Sequence, residues 1–359
     1  MRIVFLINSL RRGGAELNLV RLAGALLGRG LDVALAPIRD IDADVRAEAE
    51  QRRVPILRVA GRGGVLTSGR RRIDLLEGWQ YAGAAAASAL AALSRRVSWN
   101  FRHVPVAGVP ESGVTRALLR VLPRLPPVAR IHVNSHTAAT AHRRLGIRGD
   151  YRVIANGIDC ERFVGSATAR ASLRQRLAIP PDAPVLAHVA RFHPHKGHAG
   201  LLEAFASVAV EHGAYLLCVG QGMEEVRVLA RRHAVPEAHL RLLDATADVV
   251  SVYSAADWVV SPSRTESFPT VVAEAMSCGR PCIATCVGDT ADVVADTGIV
   301  VDANSVPALR AALLDGLSTS AVRRASLGAL ARARIVERFG LTRCTDAYVG
   351  SYREIVEAA

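Results

Sequence analysis

Short apolar runs alternate with segments of helical spacing at the start of the chain. Residues 3–7 are apolar at every position, as in a strand that is buried on both faces. A glycine loop follows, and from 15 to 28 apolar residues recur at three- and four-residue steps, which predicts a helix. A second apolar run covers 31–37. The order strand, glycine loop, helix, strand predicts the opening of a doubly wound α/β sheet.

The alternation continues less regularly and then restarts. We predict strands at 54–59, 97–101, 131–134 and 151–155, and both a strand and an Ala-rich helix within 74–93. A long Pro- and Gly-containing connection covers 106–127. The Asn156-Gly157 turn and the polar stretch 165–184 interrupt the pattern, which resumes at 185. The 359 residues suit two domains, which we place at 1–160 and 161–340. Neither contains GxGxxG, so two Rossmann-like domains facing across a cleft favour a nucleotide-sugar enzyme over a dehydrogenase.

The composition of the chain indicates which kinds of molecule the protein could bind. A net charge of +12 is compatible with nucleic acid, an anionic membrane surface or a phosphorylated small molecule. Aromatic residues make up only 4%, which disfavours a nucleic-acid stripe of arginines and stacked rings. The six cysteines form no CxxC pair, and no apolar run approaches the ~20 residues of a membrane span. We therefore expect a cytoplasmic protein with reduced cysteines, for which peripheral contact with the inner face of the membrane stays open.

Two loops after predicted strands are suited to phosphate. Gly13 and Gly14 precede a helix, where a close backbone approach and the helix dipole favour an anion; a tight turn without ligand is the alternative. Arg191 and Lys196 lie after the strand at 185–189 and would neutralise a diphosphate leaving group, unless the loop is merely a solvated charged surface. The neighbouring histidines match no metal-binding spacing. Gly220 lies in the turn after the next strand, where a base or ribose could bind.

The segment 262–276 carries the strongest signal. Glu266 lies in a loop, and Glu274 lies in an apolar helix, where a carboxylate is costly unless it has partners. Ribose hydroxyls could be those partners, and an arginine is the alternative. Glu266 and the residues after it could face sugar hydroxyls and phosphate; those residues are Ser267, Phe268 and Thr270.

These motifs resemble a known family. The chain is similar to retaining glycosyltransferases of the GT-B fold, in family four, also called the glycosyl transferases group 1. The similarity covers nearly the whole chain and rests on these positions: 13–16, 156–159 with Phe163, Arg191, 196–197, 266–269 with 274–276, and 279–281. Gln221 and Met223 stand where the family often has Asp and Pro, which leaves recognition of the nucleotide base unassigned.

The resemblance implies roles for single residues. Gly14 would let its loop approach the donor phosphates, and Arg191 and Lys196 would neutralise the diphosphate. Glu266 would contact the donor sugar and Glu274 would hold the ribose. His103 occupies the place of the active-site histidine of the family's N-terminal domain, with an ordinary loop histidine as the alternative. The resemblance also implies that the helix within 341–359 packs back on the first domain, the acceptor side.

The reaction that follows is transfer of a sugar from a nucleoside-diphosphate sugar to an acceptor hydroxyl, with retention at the anomeric carbon. The acceptor would be a glycan, a glycolipid or a secondary metabolite. We expect no cofactor and no metal, because no Asp-x-Asp pair is placed where a metal-bound diphosphate would need it. No enzymatic nucleophile is evident beside the sugar, so we expect front-face attack.

Two other functions remain as alternatives. The first is a nucleotide-sugar epimerase or phosphorylase of the same architecture, which would turn over its nucleotide without an acceptor. The second is a basic polyanion-binding protein, but clusters such as Arg70-Arg71-Arg72 and Arg323-Arg324 are separate along the chain. A membrane carrying a lipid-linked acceptor explains the charge at least as well, and nucleic acid is not an expected partner.

Overall fold

The chain divides into two compact units in the computed structural model. The first unit comprises Met1–Gly157 with Leu341–Ala359, and the second comprises Ile158–Gly340. The sequence analysis places the boundary between the two domains after residue 160, whereas the first unit of the structure ends at Gly157. The structure describes residues 1–11, 13–57, 72–105, 115, 117–118, 121–125, 128–246 and 248–358. Most of the predicted connection 106–127, residues 58–59 of a predicted strand and the arginines at 70–71 lie outside these ranges.

The first unit is built on one parallel sheet. Its strands are β1 (Arg2–Ile7), β2 (Asp32–Pro37), β3 (Ile73–Trp79), β4 (Ser94–Phe101), β5 (Arg130–Val133) and β6 (Tyr151–Val153). Its helices are α1 (Gly14–Gly28), α2 (Ala43–Gln51), α3 (Gln80–Ala89), α4 (His136–Arg144) and α13 (Leu341–Glu357). The sheet has the order β2-β1-β3-β4-β5-β6, and every pairing is parallel. Of the predicted strand 54–59, the structure shows an isolated parallel bridge from Ile56 to Leu35.

The core of the first unit explains why β1 is apolar throughout. Helices cover both faces of a parallel sheet, so neither face of its strands reaches water. Ile3 to Leu6 are fully buried, and the rings of Phe5 and Trp79 meet edge to face with centroids 6.0 Å apart. The core that contains Phe5 also includes α1 residues such as Leu19 and Leu26.

The helix α13 completes this unit through a buried polar network. Tyr348 and Tyr352 lie in the same core as β1, and the Tyr352 hydroxyl donates to the Glu77 carboxylate. His132 Nδ1 lies 2.6 Å from Glu77 Oε1, and Asn100 donates to the same oxygen at 3.1 Å. All of these side chains are buried. Glu77 is thereby held by groups from β4, β5 and α13, which is how a buried carboxylate is tolerated.

The second unit has a sheet of its own. Its strands are β7 (Val185–Val189), β8 (Tyr215–Val219), β9 (Leu240–Leu243), β10 (Trp258–Ser261), β11 (Cys282–Thr285) and β12 (Ile299–Val301). Its helices are α5 (Ala167–Arg176), α6 (His198–Ala206), α7 (Met223–Arg232), α8 (Val249–Ala255), α9 (Thr270–Ser277), α10 (Thr290–Val294), α11 (Val306–Ser318) and α12 (Ala321–Phe339). The order is β12-β11-β10-β7-β8-β9, all parallel, which is the Rossmann arrangement.

Within the described ranges, no helix is both long and apolar enough to cross a bilayer. Those ranges also hold no cluster of three or more His, Cys, Asp or Glu side chains arranged to bind a metal ion. All six cysteines are free thiols. Burial raises the pKa of Cys218 and Cys278 to about 12, so these two thiols remain protonated and behave as small apolar groups.

Candidate functional site

The candidate site of the second unit lies at the carboxyl ends of its strands. The sheet order reverses between β7 and β10, and open α/β sheets bind ligands outside the strand ends at such a switch point. The loop after β7, residues 190–197, contains Arg191 and Lys196. The loop after β10, residues 262–269, contains Glu266. Because β7 and β10 are neighbours, the two predicted loops lie side by side.

Backbone contacts join these two loops. Gly197 has φ of +71°, and a Cβ there would lie only 1.9 Å from the carbonyl oxygen of Pro262. The Arg264 amide donates to the His195 carbonyl at 2.7 Å. Only glycine allows this approach, so Gly197 fixes the position of Lys196 relative to the loop of Glu266.

A third loop holds Glu266 from the other side. Gly288, after β11, has φ of +58°, and a Cβ there would lie 2.3 Å from the carbonyl oxygen of Glu266. The Asp289 amide donates to the Ser267 carbonyl at 3.1 Å. The loop of Glu266 is therefore contacted by Gly197 at Pro262 and by Gly288 at Glu266 itself.

The side chains of Lys196 and Glu266 form an ion pair. Lys196 Nζ lies 2.6 Å from Glu266 Oε1, and the Ser263 hydroxyl donates to the same oxygen at 2.8 Å. The Lys196 side chain is 29% exposed and that of Glu266 17%, so solvent and ligands can reach both. The sequence predicted that both residues belong to one site, but their mutual pairing and the contribution of Ser263 went unnoticed.

Arg191 and Gly220 lie on the neighbouring side of this site. Arg191 is exposed. A Cβ on Gly220 would lie 2.0 Å from the Ala190 carbonyl oxygen, so this glycine allows β7 and β8 to end close together. Gly220 therefore has a packing function of its own, whether or not a ligand approaches it.

Glu274 is buried on α9 and has a tyrosine partner. It is 9% exposed, and the Tyr253 hydroxyl of α8 donates to its Oε2 at 3.0 Å. Burial and the neighbouring Glu274 raise the pKa of Tyr253 well above its usual range, so the hydroxyl keeps its proton and remains a donor. The sequence predicted that the buried carboxylate requires a partner, but nothing in the pattern of α8 pointed to Tyr253.

The residues after Glu266 lead into α9. Ser267 and Phe268 are buried, and the Phe268 ring packs against Phe339 with centroids 5.6 Å apart. Pro269 precedes the helix as its N-cap, and Thr270 is its first residue. Phe268 therefore contributes to packing against the end of α12.

Two buried histidines near Lys196 are uncharged. Burial lowers the pKa of His188 to about 3 and that of His198 to about 4, and the nearby Lys196 contributes to both shifts. His188 Nδ1 lies 2.9 Å from the Val260 carbonyl, which can only accept, so Nδ1 carries the proton. His188 and His198 therefore add no positive charge beside Lys196 at neutral pH.

The candidate residues of the first unit also follow strands. Gly13 is the N-cap of α1, and a Cβ on Gly14 would meet no atom within 4 Å. His103 is exposed after β4, and its ring lies 6.3 Å from that of Tyr81, centroid to centroid. Nothing in the described part of the protein therefore requires a glycine at position 14.

Sequence reasoning did not find the buried Arg102 beside His103. Its guanidinium donates to Asn156 Oδ1 at 2.9 Å and to the Ile154 carbonyl at 3.1 Å, and lies 4.7 Å from the centre of the Trp79 ring. Burial lowers the pKa of Arg102 to about 10, so it stays charged at neutral pH. It fixes the end of β4, from which His103 follows.

The fold and one segment of the sequence are similar to known proteins. The structure of Anabaena Alr3699/HepE in complex with UDP-glucose superposes with a TM-score of 0.84 and 21% identity, covering 100% of both chains. Residues 183–319 match the sequence model of the family described as glycosyl transferases group 1. The chain has the GT-B fold of the glycosyltransferases. Within the second unit, the segment 183–319 is thus similar to the glycosyl transferases group 1.

The matches to curated relatives cover about half of each relative's sequence. The D-inositol 3-phosphate glycosyltransferase of Xylanimonas cellulosilytica is 34% identical over 220 residues, which are 56% of this chain and 51% of that protein. The N-acetyl-alpha-D-glucosaminyl L-malate synthase of Bacillus anthracis is 27% identical over 187 residues, 51% of this chain and 49% of that protein. The chain spans about half the length of the relatives that it matches.

Proposed function

We propose that this protein is a retaining glycosyltransferase that moves a sugar from a nucleoside-diphosphate sugar to an acceptor hydroxyl. The main supporting observation is the position of Lys196, Arg191 and Glu266. They lie on two loops that contact each other through their backbones, at the switch point where the strand order of the second sheet reverses. The names of the family and of the relatives support this activity, and UDP-glucose bound to the Anabaena protein supports the donor class.

In this proposal the second unit binds the donor. Arg191 and Lys196 neutralise the diphosphate, aided by the amino end of α6, which begins directly after Gly197. Glu266 binds hydroxyls of the sugar, and Glu274 binds the ribose. Gly220, Ser267, Phe268 and Thr270 shape the backbone around the donor. In the first unit, we propose that Gly13, Gly14 and His103 keep the roles implied by the resemblance.

We propose a metal-independent, front-face reaction. Glu266 is the sole carboxylate of residues 190–197 and 262–269, and it is already engaged by Lys196 and Ser263. Such a carboxylate is suited to holding a sugar hydroxyl rather than to attacking the anomeric carbon. The leaving phosphate, stabilised by two cations, would then accept the proton of the acceptor hydroxyl.

The acceptor is proposed to carry negative charge. D-Inositol 3-phosphate and L-malate, in the names of two relatives, are both anionic, and the net charge of this chain is +12. An anionic membrane surface presenting the acceptor would be attracted in the same way. Flotation with anionic and neutral vesicles at low salt tests this contact, and equal recovery with both lipids would refute it.

The decisive experiment measures sugar transfer directly. ADP-, GDP- and UDP-sugars are first compared by thermal shift, since a donor at ~100 times its Kd stabilises the fold by ~2.7 kcal/mol. The donor that binds is then incubated with inositol phosphate, malate and lipid-linked acceptors, with and without EDTA. We expect an α-linked product from an α-linked donor, at a rate that EDTA does not change. Donor turnover without any acceptor would instead support an epimerase or phosphorylase.

A further inference from the structure

The ion pair between Lys196 and Glu266 joins two residues that, in the proposed function, serve different parts of one ligand. Lys196 would bind the diphosphate, and Glu266 would bind the sugar. In the structure the two side chains lie 2.6 Å apart and neutralise each other. A diphosphate that reaches Lys196 therefore competes with Glu266 for its charge.

We infer that Lys196 and Glu266 form an exchangeable ion pair, in which Glu266 holds Lys196 until a diphosphate displaces it. The inference rests on the proposed function. Its consequence is that the carboxylate of Glu266 competes with the diphosphate for Lys196. The same carboxylate becomes available to the donor sugar when the diphosphate arrives.

The backbone around the pair supports an exchange of side-chain partners without a loop movement. Gly197 presses against Pro262, and Gly288 presses against Glu266, so both loops are fixed at the backbone level. The two side chains are partly exposed, which leaves them free to change rotamer. The site is thus rigid in its backbone and adjustable at the ammonium and the carboxylate.

Ser263 keeps Glu266 in place during the exchange. Its hydroxyl donates to Glu266 Oε1 at 2.8 Å, and Ser263 itself is 1% exposed. When Lys196 turns to the diphosphate, this hydrogen bond still restrains the carboxylate. Glu266 then offers its remaining acceptor positions to sugar hydroxyls, since an ionised carboxylate accepts about four hydrogen bonds.

The exchange also assists release of the product. After transfer, the nucleoside diphosphate remains on Lys196 while the sugar has left Glu266. Re-formation of the pair then favours departure of the diphosphate, because it returns a partner to both charges. An enzyme without this pair would retain its nucleotide product longer.

The test is a double-mutant cycle on diphosphate affinity. Glu266→Gln removes the competing charge at nearly constant shape, and we expect it to tighten binding of the best nucleoside diphosphate, and of pyrophosphate, roughly 5-fold, as for a partly exposed ion pair. In a Lys196→Ala background the same substitution should change affinity little, because there is no longer a pair to release. Glu203→Gln, on the exposed face of α6, serves as the matched control.

The cycle separates exchange from simple charge repulsion. Repulsion between Glu266 and a diphosphate would persist in Lys196→Ala, so an equal gain in both backgrounds overturns the inference. No gain in either background, or weaker binding in Glu266→Gln, overturns it as well while leaving the proposed function intact. If no nucleoside diphosphate binds the wild-type protein, both proposals fall. Glu266→Ala should show the same gain and replaces Glu266→Gln if that variant does not fold.

Discussion

Replacing Glu274 with glutamine tests whether this buried carboxylate holds a ribose. The residue is 9% exposed, and Tyr253 already donates to its Oε2. If the carboxylate also accepts from the two ribose hydroxyls, Glu274→Gln loses the charge assistance of those bonds. The fold should tolerate the change, because the glutamine oxygen can still accept from Tyr253.

The expected loss follows from the strength of charge-assisted hydrogen bonds. Such bonds contribute ~1.5–3 kcal/mol, which corresponds to a rise in Kd of roughly 10- to 150-fold for the nucleoside diphosphate. Calorimetry with the preferred diphosphate measures this directly. Glu203→Gln, far more exposed at 56% of its side chain, should leave the Kd unchanged.

A 2′-deoxy nucleotide makes the test specific for the ribose. The wild-type protein should bind the 2′-deoxy diphosphate more weakly than the ribonucleotide. Glu274→Gln should discriminate less between the two, because the partner of the 2′-hydroxyl has been weakened. If the variant keeps wild-type affinity, or discriminates as strongly as the wild type, Glu274 does not bind the ribose.

The remaining predictions concern charge, backbone and pH. Arg191→Ala and Lys196→Ala should each lower kcat/KM about 100-fold, which corresponds to ~3 kcal/mol of lost transition-state stabilisation, with little change in melting temperature. If either variant retains full turnover, the replaced residue does not have the proposed role. Gly197→Ala should destabilise the second unit and weaken diphosphate binding, because the added Cβ would clash with Pro262. Gly213→Ala is the control: Gly213 has a φ of +56°, but a Cβ there would meet no atom within 4 Å, so this variant should show only the cost of backbone strain. Equal effects of the two alanines in denaturation and binding assays would remove Gly197 from the account of the site. The free energy of unfolding should fall as the pH is lowered from about 6.5 towards 4. Burial holds the pKa of His142 and His198 at about 4 in the folded protein. Below pH 6.5 the unfolded chain therefore binds protons that the folded chain does not. Each such histidine contributes a slope of up to ~1.4 kcal/mol per pH unit, and urea titrations in which His142→Gln has the same slope as the wild type would contradict this origin.

Much of the fold could be predicted because parallel sheets leave a clear record in the sequence. A strand that is covered on both faces must be apolar at every position, as in 3–7, and the glycine loop after it marks the start of a helix. The segment 54–59 is a harder case, since an edge position needs fewer buried side chains. Its described part makes only the bridge between Ile56 and Leu35.

The site could be predicted as a set of residues but not as a set of contacts. Lys196 and Glu266 stand out because charged side chains follow buried strands. Their pairing depends on the order β10-β7 in the sheet and on the contact of Gly197 with Pro262, two features of tertiary structure. The sequence does not indicate that Tyr253 and Ser263 belong to the site, because a tyrosine in an apolar helix and a serine in a loop are common in proteins without any functional role. Glu77 was missed because it lies within an apolar strand, and its partners come from distant segments.

The network around Glu77 has a consequence for the order in which the chain can fold during synthesis. The first unit is interrupted, because Tyr348, Ser351 and Tyr352 are made only after the entire second unit has been synthesised. Until then Glu77 lacks the Tyr352 hydroxyl, and His132 lacks the Ser351 hydroxyl that lies 2.8 Å from its Nε2. The second unit is continuous and can fold as soon as residue 340 has emerged. The first unit, although it begins earlier, must therefore be completed last, and shortening the chain before Tyr348 would leave a buried carboxylate and an open core.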